Sequence, residues 1–312
     1  MNLIFLGTPS FAVPTLERVV AAGHRVLSVY TQPDRPKGRG GQLAASPVKE
    51  TALRLGLTVH QPERVRRPEV VEQLRGMHPE AMVIVGYGQI IPQSIIDIPP
   101  LGIINVHASL LPKYRGAAPI QWAIASGETR TGVTTIRIDA GLDTGDMLLK
   151  WETEIGPEED AVELGVRMAR AGSDLLVETL AGLAAGSIVA QPQDHSQASL
   201  APILKKEDGV IEWNWQARKI FNRARGFLPW PGAYSYFRGH LFHVWKARVA
   251  TEVPGEPGQL VPQKKHLLAV CGEGTALELV EVQIEGRKRM SGEAFLNGQR
   301  LNENETLGEE SE

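Results

Sequence analysis

An asparagine and a histidine stand two positions apart where a buried apolar run ends. Residues 102–106 read Gly-Ile-Ile-Asn-Val and predict a strand, with Asn105 near its end and His107 just beyond it. Side chains alternate along a strand, so these two point to the same side. An amide can donate a hydrogen bond to an oxyanion, and an imidazole can do the same or transfer a proton. The pair therefore predicts a place where an acyl group could react.

Two aspartates in a later turn could complete this site. Asp139 and Asp143 lie in residues 139–145, DAGLDTG, between two predicted strands. If the turn folds back over the strand end, the carboxylate of Asp143 could hold the histidine or accept a proton, directly or through water. Aspartates at such positions are also common turn formers, and a histidine at a strand end is often structural. From spacing alone, both the catalytic and the structural interpretation stay open.

Other kinds of chemistry find less support in the sequence. It contains no Gly-x-Ser-x-Gly motif, and its single cysteine, Cys271, lies far along the chain from His107. Direct acyl transfer to an external nucleophile is therefore favoured over a covalent acyl-enzyme. The eight histidines are scattered, and we expect no metal site. No Gly-x-Gly-x-x-Gly motif follows the first predicted strand, which argues against a nicotinamide cofactor.

These residues must be positioned by a larger framework, and 312 residues are enough for about two domains. In the first part, apolar runs alternate with helical patterns, which predicts a mostly parallel α/β sheet covered by helices. Ligands bind beyond the carboxyl ends of such strands, where the Gly86-Tyr87-Gly88 turn also falls. The expected strands are 2–6, 25–30, 57–60, 81–85, 102–106, 132–138 and 146–151, and the expected helices are 10–23, one beginning at 47, 68–77, 118–125 and 158–184.

The pattern changes after a polar, irregular segment at 187–202. A predicted helix at 215–226 is followed by short strands near 232–237, 241–250, 257–262, 266–270 and 275–284, which indicates a small β-barrel. We expect a first domain at 1–189, a linker at 190–206, a second domain at 207–300 and a disordered acidic tail at 301–312, with the boundary near residue 205.

Charge is distributed unevenly, although the net charge is only −3. Residues 205–300 carry 15 Lys and Arg against 10 Asp and Glu, while residues 301–312 carry five Glu and no cation. Residues 31–46 form a Gly-rich predicted loop with Arg35, Lys37 and Arg39. From the charge pattern alone, a solvated surface would explain any one of these basic runs. No apolar stretch has membrane-spanning length, and we expect a cytoplasmic monomer.

Longer motifs make the interpretation more specific. Residues 105–116, NVHASLLPKYRG, resemble the signature of enzymes that use 10-formyltetrahydrofolate. Residues 5–9 (FLGTP), 31–40 (TQPDRPKGRG), 46–49 (SPVK), 116–121 (GAAPIQ) and 227–232 (FLPWPG) resemble the methionyl-tRNA formyltransferase family in particular. The resemblance covers residues 2 to about 300. It implies a Rossmann-like formyltransferase fold followed by a smaller OB-like β-barrel domain that binds tRNA.

The resemblance also implies an activity: transfer of a formyl group from 10-formyltetrahydrofolate to the α-amino group of methionyl-initiator tRNA. The implied catalytic residues are Asn105, His107 and Asp143. The implied folate-binding residues are Gly86, Tyr87, Gly88, Gln89, Ile90, Ile91, Ser109, Leu110, Leu111, Pro112 and Asp139. The expected tRNA-binding residues are Arg35, Lys37, Arg39, Lys205, Lys206, Arg218, Lys219, Arg223 and Arg225, with a further basic run at Arg287, Lys288 and Arg289.

Two alternatives share these motifs. The first is a formyltransferase that acts on a sugar-nucleotide amine or another small amine; the cationic loop at 31–46 and the basic second domain favour tRNA over it. The second is a non-catalytic RNA-binding module built on this fold. The intact set of Asn105, His107 and Asp143 argues against it.

Overall fold

The computed structural model describes residues 1–37, 42–302 and 304–308. Arg39, predicted to contact tRNA, lies outside the described residues. The chain divides into two compact units. The first consists of Met1–Pro119, Arg130–Thr153 and Gly165–Pro202, and the second of Ile120–Thr129, Glu154–Leu164 and Ile203–Glu312. The last change of unit falls close to the boundary expected near residue 205, while two segments inside the predicted first domain group with the second unit.

Residues 1–202 alternate strands and helices. The strands are β1 (Asn2–Gly7), β2 (Arg25–Tyr30), β3 (Arg35–Lys37), β4 (Gln42–Ala44), β5 (Val59–His60), β6 (Ala81–Val85), β7 (Ile103–His107), β8 (Arg115–Gly116), β9 (Arg130–Arg137), β10 (Met147–Glu154) and β11 (Leu200–Ala201). The helices are α1 (Val13–Ala21), α2 (Pro47–Arg54), α3 (Pro68–Gly76), α4 (Gln93–Ile96), α5 (Pro119–Ala125) and α6 (Ala161–Ala185), with short 3-10 turns at Ser10–Ala12 and His195–Gln197.

Seven of these strands form one sheet in the order β10-β9-β7-β6-β1-β2-β5. β1 runs parallel to β2 and β6, and β6 runs parallel to β7, whereas β9 is antiparallel to β7. β6 is apolar and buried along its whole length and β1 is so from Leu3 to Leu6, as is typical of strands in a sheet covered by helices on both faces. The mostly parallel α/β sheet predicted from the sequence is thus confirmed.

Local signals set several element boundaries. Ser46 caps α2 by accepting a hydrogen bond from the Lys49 N–H at 3.1 Å, and Pro47 occupies the first helical position, as the sequence predicted. The prediction of an irregular loop at 31–46 is wrong for two described stretches, because β3 and β4 pair there as antiparallel strands. Lys49 and Gln61 both bind the carboxylate of Asp34 beside this hairpin.

The predicted linker at 190–206 also needs correction. β11 lies inside it and pairs in parallel with β8 of the first unit. The backbone of Gln191 exchanges two hydrogen bonds of 2.8 Å with Met147. Residues 191–201 are therefore bound into the first unit, because their backbone groups find partners there that a polar sequence does not reveal.

The second unit is built on an antiparallel sheet, which confirms a second, smaller β-domain. Its main sheet has the order β14-β15-β16-β13-β12-β18, and Phe242, Leu277, Leu279 and Phe295 are among its fully buried residues. The strands are β12 (Ala233–Phe237), β13 (His240–Ala250), β14 (Leu260–Gln263), β15 (His266–Val270), β16 (Ala276–Ile284), β17 (Met290–Ser291) and β18 (Leu307–Gly308), and the helices are α7 (Ala217–Gly226) and α8 (Gly292–Gly298), with 3-10 turns at Lys206–Gly209 and Gly272–Gly274.

The prediction of a disordered tail is wrong for residues 304–308. β18 forms an edge of the sheet, pairing antiparallel with β12, and Leu307 is only 2% exposed within the core of the unit. Arg238 donates a hydrogen bond of 3.1 Å to the carboxylate of Glu305. Composition predicts disorder because the segment is acidic, whereas residues 304–308 are held by one buried leucine and one paired glutamate. Residues 303 and 309–312 of the predicted tail lie outside the described residues.

Candidate active site

The ends of two neighbouring parallel strands define the candidate site. β7 lies beside β6, with Ile84 paired to Asn105, and both strands end at the same edge of the sheet. Asn105 is half-buried, and His107 is only 5% exposed. The alternation of β7 therefore aims an amide and an imidazole to one side, as expected.

Asp143 reaches this pair from the turn between β9 and β10. Its Oδ1 accepts a hydrogen bond from Asn105 Nδ2 at 3.2 Å, and its Oδ2 accepts one from the Gly116 N–H at 2.9 Å. The same Oδ2 lies 3.6 Å from His107 Nδ1. The amide, imidazole and carboxylate predicted from the sequence thus come together in one cluster.

The hydrogen bonds of His107 determine which ring nitrogen carries a proton. Nε2 lies 2.9 Å from the carbonyl oxygen of Tyr114, and a carbonyl can only accept, so Nε2 is the donor. In the neutral ring Nδ1 is then the unprotonated nitrogen, and it faces Asp143. A proton gained at Nδ1 would therefore lie between the ring and the Asp143 carboxylate.

The turn 139–145 is shaped to present Asp143. Asp143 has a positive φ of 51°, which is unusual for a residue other than glycine. A Cβ at Gly145 would stand 1.8 Å from the carbonyl oxygen of Arg137, so only glycine fits there. Asp139 accepts hydrogen bonds from the Gly141 N–H and the Thr144 hydroxyl. Asp139 therefore stabilises the turn, and because its side chain is exposed the folate contact predicted for it stays a prediction.

The predicted folate segment at 86–91 mixes exposed and buried positions. Gly86 and Gly88 are exposed and have positive φ values, and Ile90 is 88% exposed. Tyr87 is buried, and burial raises the pKa of its phenol. The side-chain amide of Gln89 accepts a hydrogen bond from the Val65 N–H and donates one to the Pro62 carbonyl. The backbone of the two glycines and the side chain of Ile90, with the half-buried Ile91, are thus the accessible part of this segment.

The second predicted folate segment, 109–112, is a rigid loop. Ser109 and Leu111 are buried, whereas Leu110 and Pro112 are partly exposed. Thr134 accepts a hydrogen bond from the Leu111 N–H and donates one to the Ser109 carbonyl. Lys150 donates to the Leu111 carbonyl at 2.7 Å. Ser109 and Leu111 therefore support the loop, and the folate contacts predicted for this segment stay predictions.

The cations predicted to bind tRNA differ in their surroundings. Five have exposed positions: Arg35, Lys205, Lys206, Arg218 and Lys219. Lys219 Nζ lies 3.7 Å from the centre of the Trp215 ring. In the other basic run, Arg289 lies 3.6 Å over Trp245. Lys37 belongs to β3, and its side chain lies outside the described part of the structure.

Arg223 and Arg225 are used inside the second unit. Arg223 lies over Trp215 and Phe227, donates to the Asp208 carbonyl at 2.8 Å, and has its pKa lowered by burial. Arg225 donates to the carbonyls of Gly156 and Glu159, and burial lowers its pKa as well. Both guanidinium groups are half-buried and donate to groups within the second unit, and the phosphate contact predicted for them stays a prediction.

Several residues of the site carried no functional prediction. Tyr114 and Gly116 contribute a carbonyl and an N–H, and their place at the end of the 105–116 motif was the only signal. Gln193 and Arg115 form a buried pair next to Asp143, and nothing in the sequence around Gln193 indicated it. Within the described residues there is no group of three or more His, Cys, Asp or Glu suited to a metal ion. No helix in that part of the chain is long and apolar enough to span a membrane.

Comparisons with known proteins identify the family to which the chain belongs. The formyl transferase family model matches residues 1–180, and the model of its C-terminal domain matches residues 203–300, so the chain is a formyltransferase. More narrowly, it belongs to the methionyl-tRNA formyltransferase family. A methionyl-tRNA formyltransferase from Solibacter usitatus is 67% identical over 309 residues, and one from Koribacter versatilis is 58% identical over 309 residues, each match covering 99% of both chains.

A solved structure shows the same fold at low sequence identity. It is an N-formyltransferase from Helicobacter canadensis, in complex with folinic acid and dTDP-3-aminofucose. The similarity has a TM-score of 0.66 at 17% identity and covers 89% of this chain and 98% of that one. At this identity the likeness supports the fold alone.

Proposed function

We propose that this chain transfers a formyl group from 10-formyltetrahydrofolate to the α-amino group of methionyl-initiator tRNA, with Asn105, His107 and Asp143 at the reacting centre. The observation that carries the proposal is the meeting of these three side chains within 3.2 to 3.6 Å at a strand end. Membership of the methionyl-tRNA formyltransferase family supports the choice of both substrates.

The amide of Asn105 is suited to the oxyanion. Attack of the amine on the formyl carbon turns the carbonyl oxygen into an oxyanion. Asn105 uses one of its two amide hydrogens on Asp143, so the second is free to donate to this oxygen. A single preorganised donor of this kind contributes roughly 10²–10³ in rate.

His107 and Asp143 are suited to moving the protons. The methionyl ammonium must lose two: one before it attacks, and one that passes to the folate nitrogen as the carbon–nitrogen bond to it breaks. Asp143 accepts the first, directly or through water, and releases it to solvent before the amine attacks, so that it is a carboxylate again. His107 Nδ1 takes the second and returns it to the leaving nitrogen, and Asp143 stabilises the imidazolium in between.

The substrates would approach along accessible surfaces of the two units. For the folate we propose the backbone of Gly86 and Gly88 together with Ile90, Leu110 and Pro112, because these remain exposed or partly exposed near the two strand ends. For tRNA we propose the exposed cations, which are Arg35, Lys205, Lys206, Arg218 and Lys219. Lys37 and Arg39 stay predictions. Because initiator tRNA is used in translation, we place the enzyme in the cytoplasm, and we retain a monomer as the expected state.

A formylation assay tests the function. Purified protein is incubated with 10-formyltetrahydrofolate and methionylated initiator or elongator tRNA, and the products are resolved on acid gels. We expect rapid formylation of the initiator species only. Formylation of a sugar-nucleotide amine instead would support the small-amine alternative, and binding of tRNA without any turnover would support the non-catalytic one.

Substitutions test the residue roles. We expect Asn105→Ala, His107→Ala and Asp143→Asn each to lower kcat by about two decades or more without loss of fold, because each removes a group from the reacting centre. Asp146→Asn makes the same chemical change on an exposed side chain close by and should leave kcat unchanged. Near-normal turnover of any folded variant of the three would remove that residue from the catalytic set.

A further inference from the structure

The segment predicted as a linker holds two loops of the candidate site. We call residues 193–201 the strap. Its Ser199 carbonyl accepts the Arg115 N–H at 2.8 Å, and its Ser199 hydroxyl accepts the Tyr114 N–H at 2.9 Å. Its Ala201 carbonyl accepts the Ala117 N–H at 2.9 Å. The strap thereby holds the loop whose Tyr114 carbonyl binds His107.

The other end of the strap reaches the turn that carries Asp143. The side-chain amide of Gln193 donates from Nε2 to the carbonyl oxygens of Asp143 and Gly145, at 2.8 Å each. Its Oε1 accepts from the guanidinium of Arg115, with Nε at 3.1 Å and Nη2 at 2.7 Å. One side chain thus connects the Asp143 turn to the loop that contains Arg115.

This arrangement uses all the hydrogen-bonding capacity of the Gln193 amide. Two hydrogens on nitrogen serve two carbonyls, and two lone pairs on oxygen serve two guanidinium N–H groups. If the amide were flipped, its oxygen would face the Asp143 and Gly145 carbonyl oxygens and its nitrogen would face the Arg115 guanidinium. The hydrogen-bond partners therefore determine the orientation of the amide. Gln193 is only 5% exposed and Arg115 only 7%, which makes each of these bonds costly to lose.

The turn needs such support because of its backbone conformation. Asp143 has a φ of 51°, which is unfavourable for a residue with a Cβ and persists only where the surroundings enforce it. Gln193 binds the carbonyl of that same residue. Arg115 is held in turn by Gln193 and by His195 Nδ1, which lies 3.1 Å from its Nη2.

We propose that Gln193, backed by Arg115, is a positioning residue that keeps the Asp143 carboxylate on Asn105 and the Gly116 N–H and beside His107. The inference rests on the proposed catalytic role of Asp143. Gln193 itself touches backbone and Arg115, so it acts on the reaction through the placement of Asp143.

The near-isosteric variant Gln193→Glu tests this directly. It keeps an acceptor for Arg115 but sets an oxygen against the Asp143 and Gly145 carbonyls, which pushes the turn away. We expect kcat to fall about ten- to thirtyfold, because small misplacements of a reacting group are expensive, while KM for both substrates stays within about twofold. Gln191→Glu is the matched control: the same change two residues earlier, on an exposed side chain, with no expected effect on kcat.

A double-mutant cycle separates positioning from general damage. If Gln193 acts through Asp143, Gln193→Glu should lower kcat by less than about a further threefold when Asp143 is already Asn. The reason is that displacing residue 143 has little further effect once its carboxylate is gone. If the effects of the two substitutions multiply, Gln193 does not act through Asp143 and the proposal is overturned. Thermal unfolding of all variants monitors the fold.

The outcomes also separate this inference from the proposed function. Asp143→Asn with normal turnover contradicts the catalytic role of Asp143, and the inference falls with it. Asp143→Asn with low turnover but Gln193→Glu with normal turnover contradicts the inference alone. If Gln193→Glu does not fold, Gln193→Asn replaces it in the double-mutant cycle. If neither variant folds while Gln191→Glu does, Gln193 is required for the fold rather than for positioning Asp143, and the proposal is overturned.

Discussion

The end of β7 and the helix α7 both concentrate polar side chains, but they use them differently. At the end of β7, Asn105 and His107 meet Asp143 and each retains hydrogen-bonding capacity for a substrate. On α7, Arg218 and Lys219 are exposed, whereas Arg223 and Arg225 donate to backbone carbonyls within the second unit. Polar side chains therefore meet in one cluster at the strand end, whereas on the helix they divide into exposed cations and cations with structural contacts.

Backbone geometry explains the difference. In a strand every second side chain points the same way, so two residues at this spacing must share a side. A helix turns by roughly 100° per residue, so Arg218 shares a face with Arg225 and Lys219 shares one with Arg223. In each pair the residue nearer the start of α7 is exposed, and the later one is half-buried. The apolar residues Ile220, Phe221 and Ala224 place the inner face of α7 against the core, and they bring the neighbouring arginines partly inside.

The largest expected effect comes from the turn that completes the strand-end cluster. Gly145→Ala would place a Cβ 1.8 Å from the Arg137 carbonyl and force the backbone beside Asp143 to move. We expect kcat to fall about 100-fold, because displacement by about 1 Å has an effect of that size. Gly76→Ala, where a Cβ meets open space, is the control and should keep full activity. Normal steady-state turnover of Gly145→Ala would show that the cluster does not depend on this turn.

The next effect tests whether the inner cations of α7 are structural. Arg223→Ala removes a guanidinium that packs on Trp215 and Phe227 and binds the Asp208 carbonyl. We expect the second unit to lose about 2–4 kcal/mol of stability in urea unfolding, from lost packing and an unsatisfied carbonyl. Arg218→Ala should change stability by less than about 0.5 kcal/mol, as exposed positions usually do. Equal losses for both variants would contradict the division of α7 into inner and outer cations.

The outer cations should affect tRNA rather than stability. We expect Arg218→Ala and Lys219→Ala each to raise KM for methionyl-tRNA several-fold, on the order of threefold, and to reduce the slope of log affinity against log salt by about 1. Titration of binding against potassium chloride measures both. Arg130→Ala removes an exposed cation paired with Glu152 at 3.0 Å and serves as the comparison. A tRNA affinity that does not change with salt would exclude a phosphate path.

The smallest effect concerns a further structural cation, Arg238. Its hydrogen bonds hold the pKa of Glu305 below the ordinary value of 4.5. A carboxylate with a lowered folded pKa stabilises the protein above its unfolded pKa and loses that contribution as pH falls through the folded value. Glu305→Gln should therefore cost about 1 kcal/mol at pH 7, and the difference from the unsubstituted chain should shrink toward pH 3. Unfolding curves of both proteins between pH 3 and pH 7 measure this difference in stability. A difference that does not change with pH would rule out the Arg238–Glu305 ion pair as its source.

Much of the fold followed from patterns within single elements. Apolar runs predicted β1, β2, β6 and β7 to within a residue or so, and Ser46-Pro47 predicted the start of α2. The predictions of a disordered tail at residues 304–308 and of a linker at 191–201 are wrong because composition measures average polarity. Order in these two segments depends on single contacts. One such contact is the burial of Leu307, and another is the pairing of β11 with β8.

By itself, the sequence determined that Asn105 and His107 share a side, that a Gly-bounded turn carries Asp143, and which family the chain resembles, because each depends on local geometry or an ordered motif. Only the tertiary structure decided that the Gly116 N–H and Gln193 hold Asp143, and that Arg223 and Arg225 face inward. Those contacts join residues far apart along the chain. Their partners are mostly backbone groups, which every residue has and which leave no mark in the sequence.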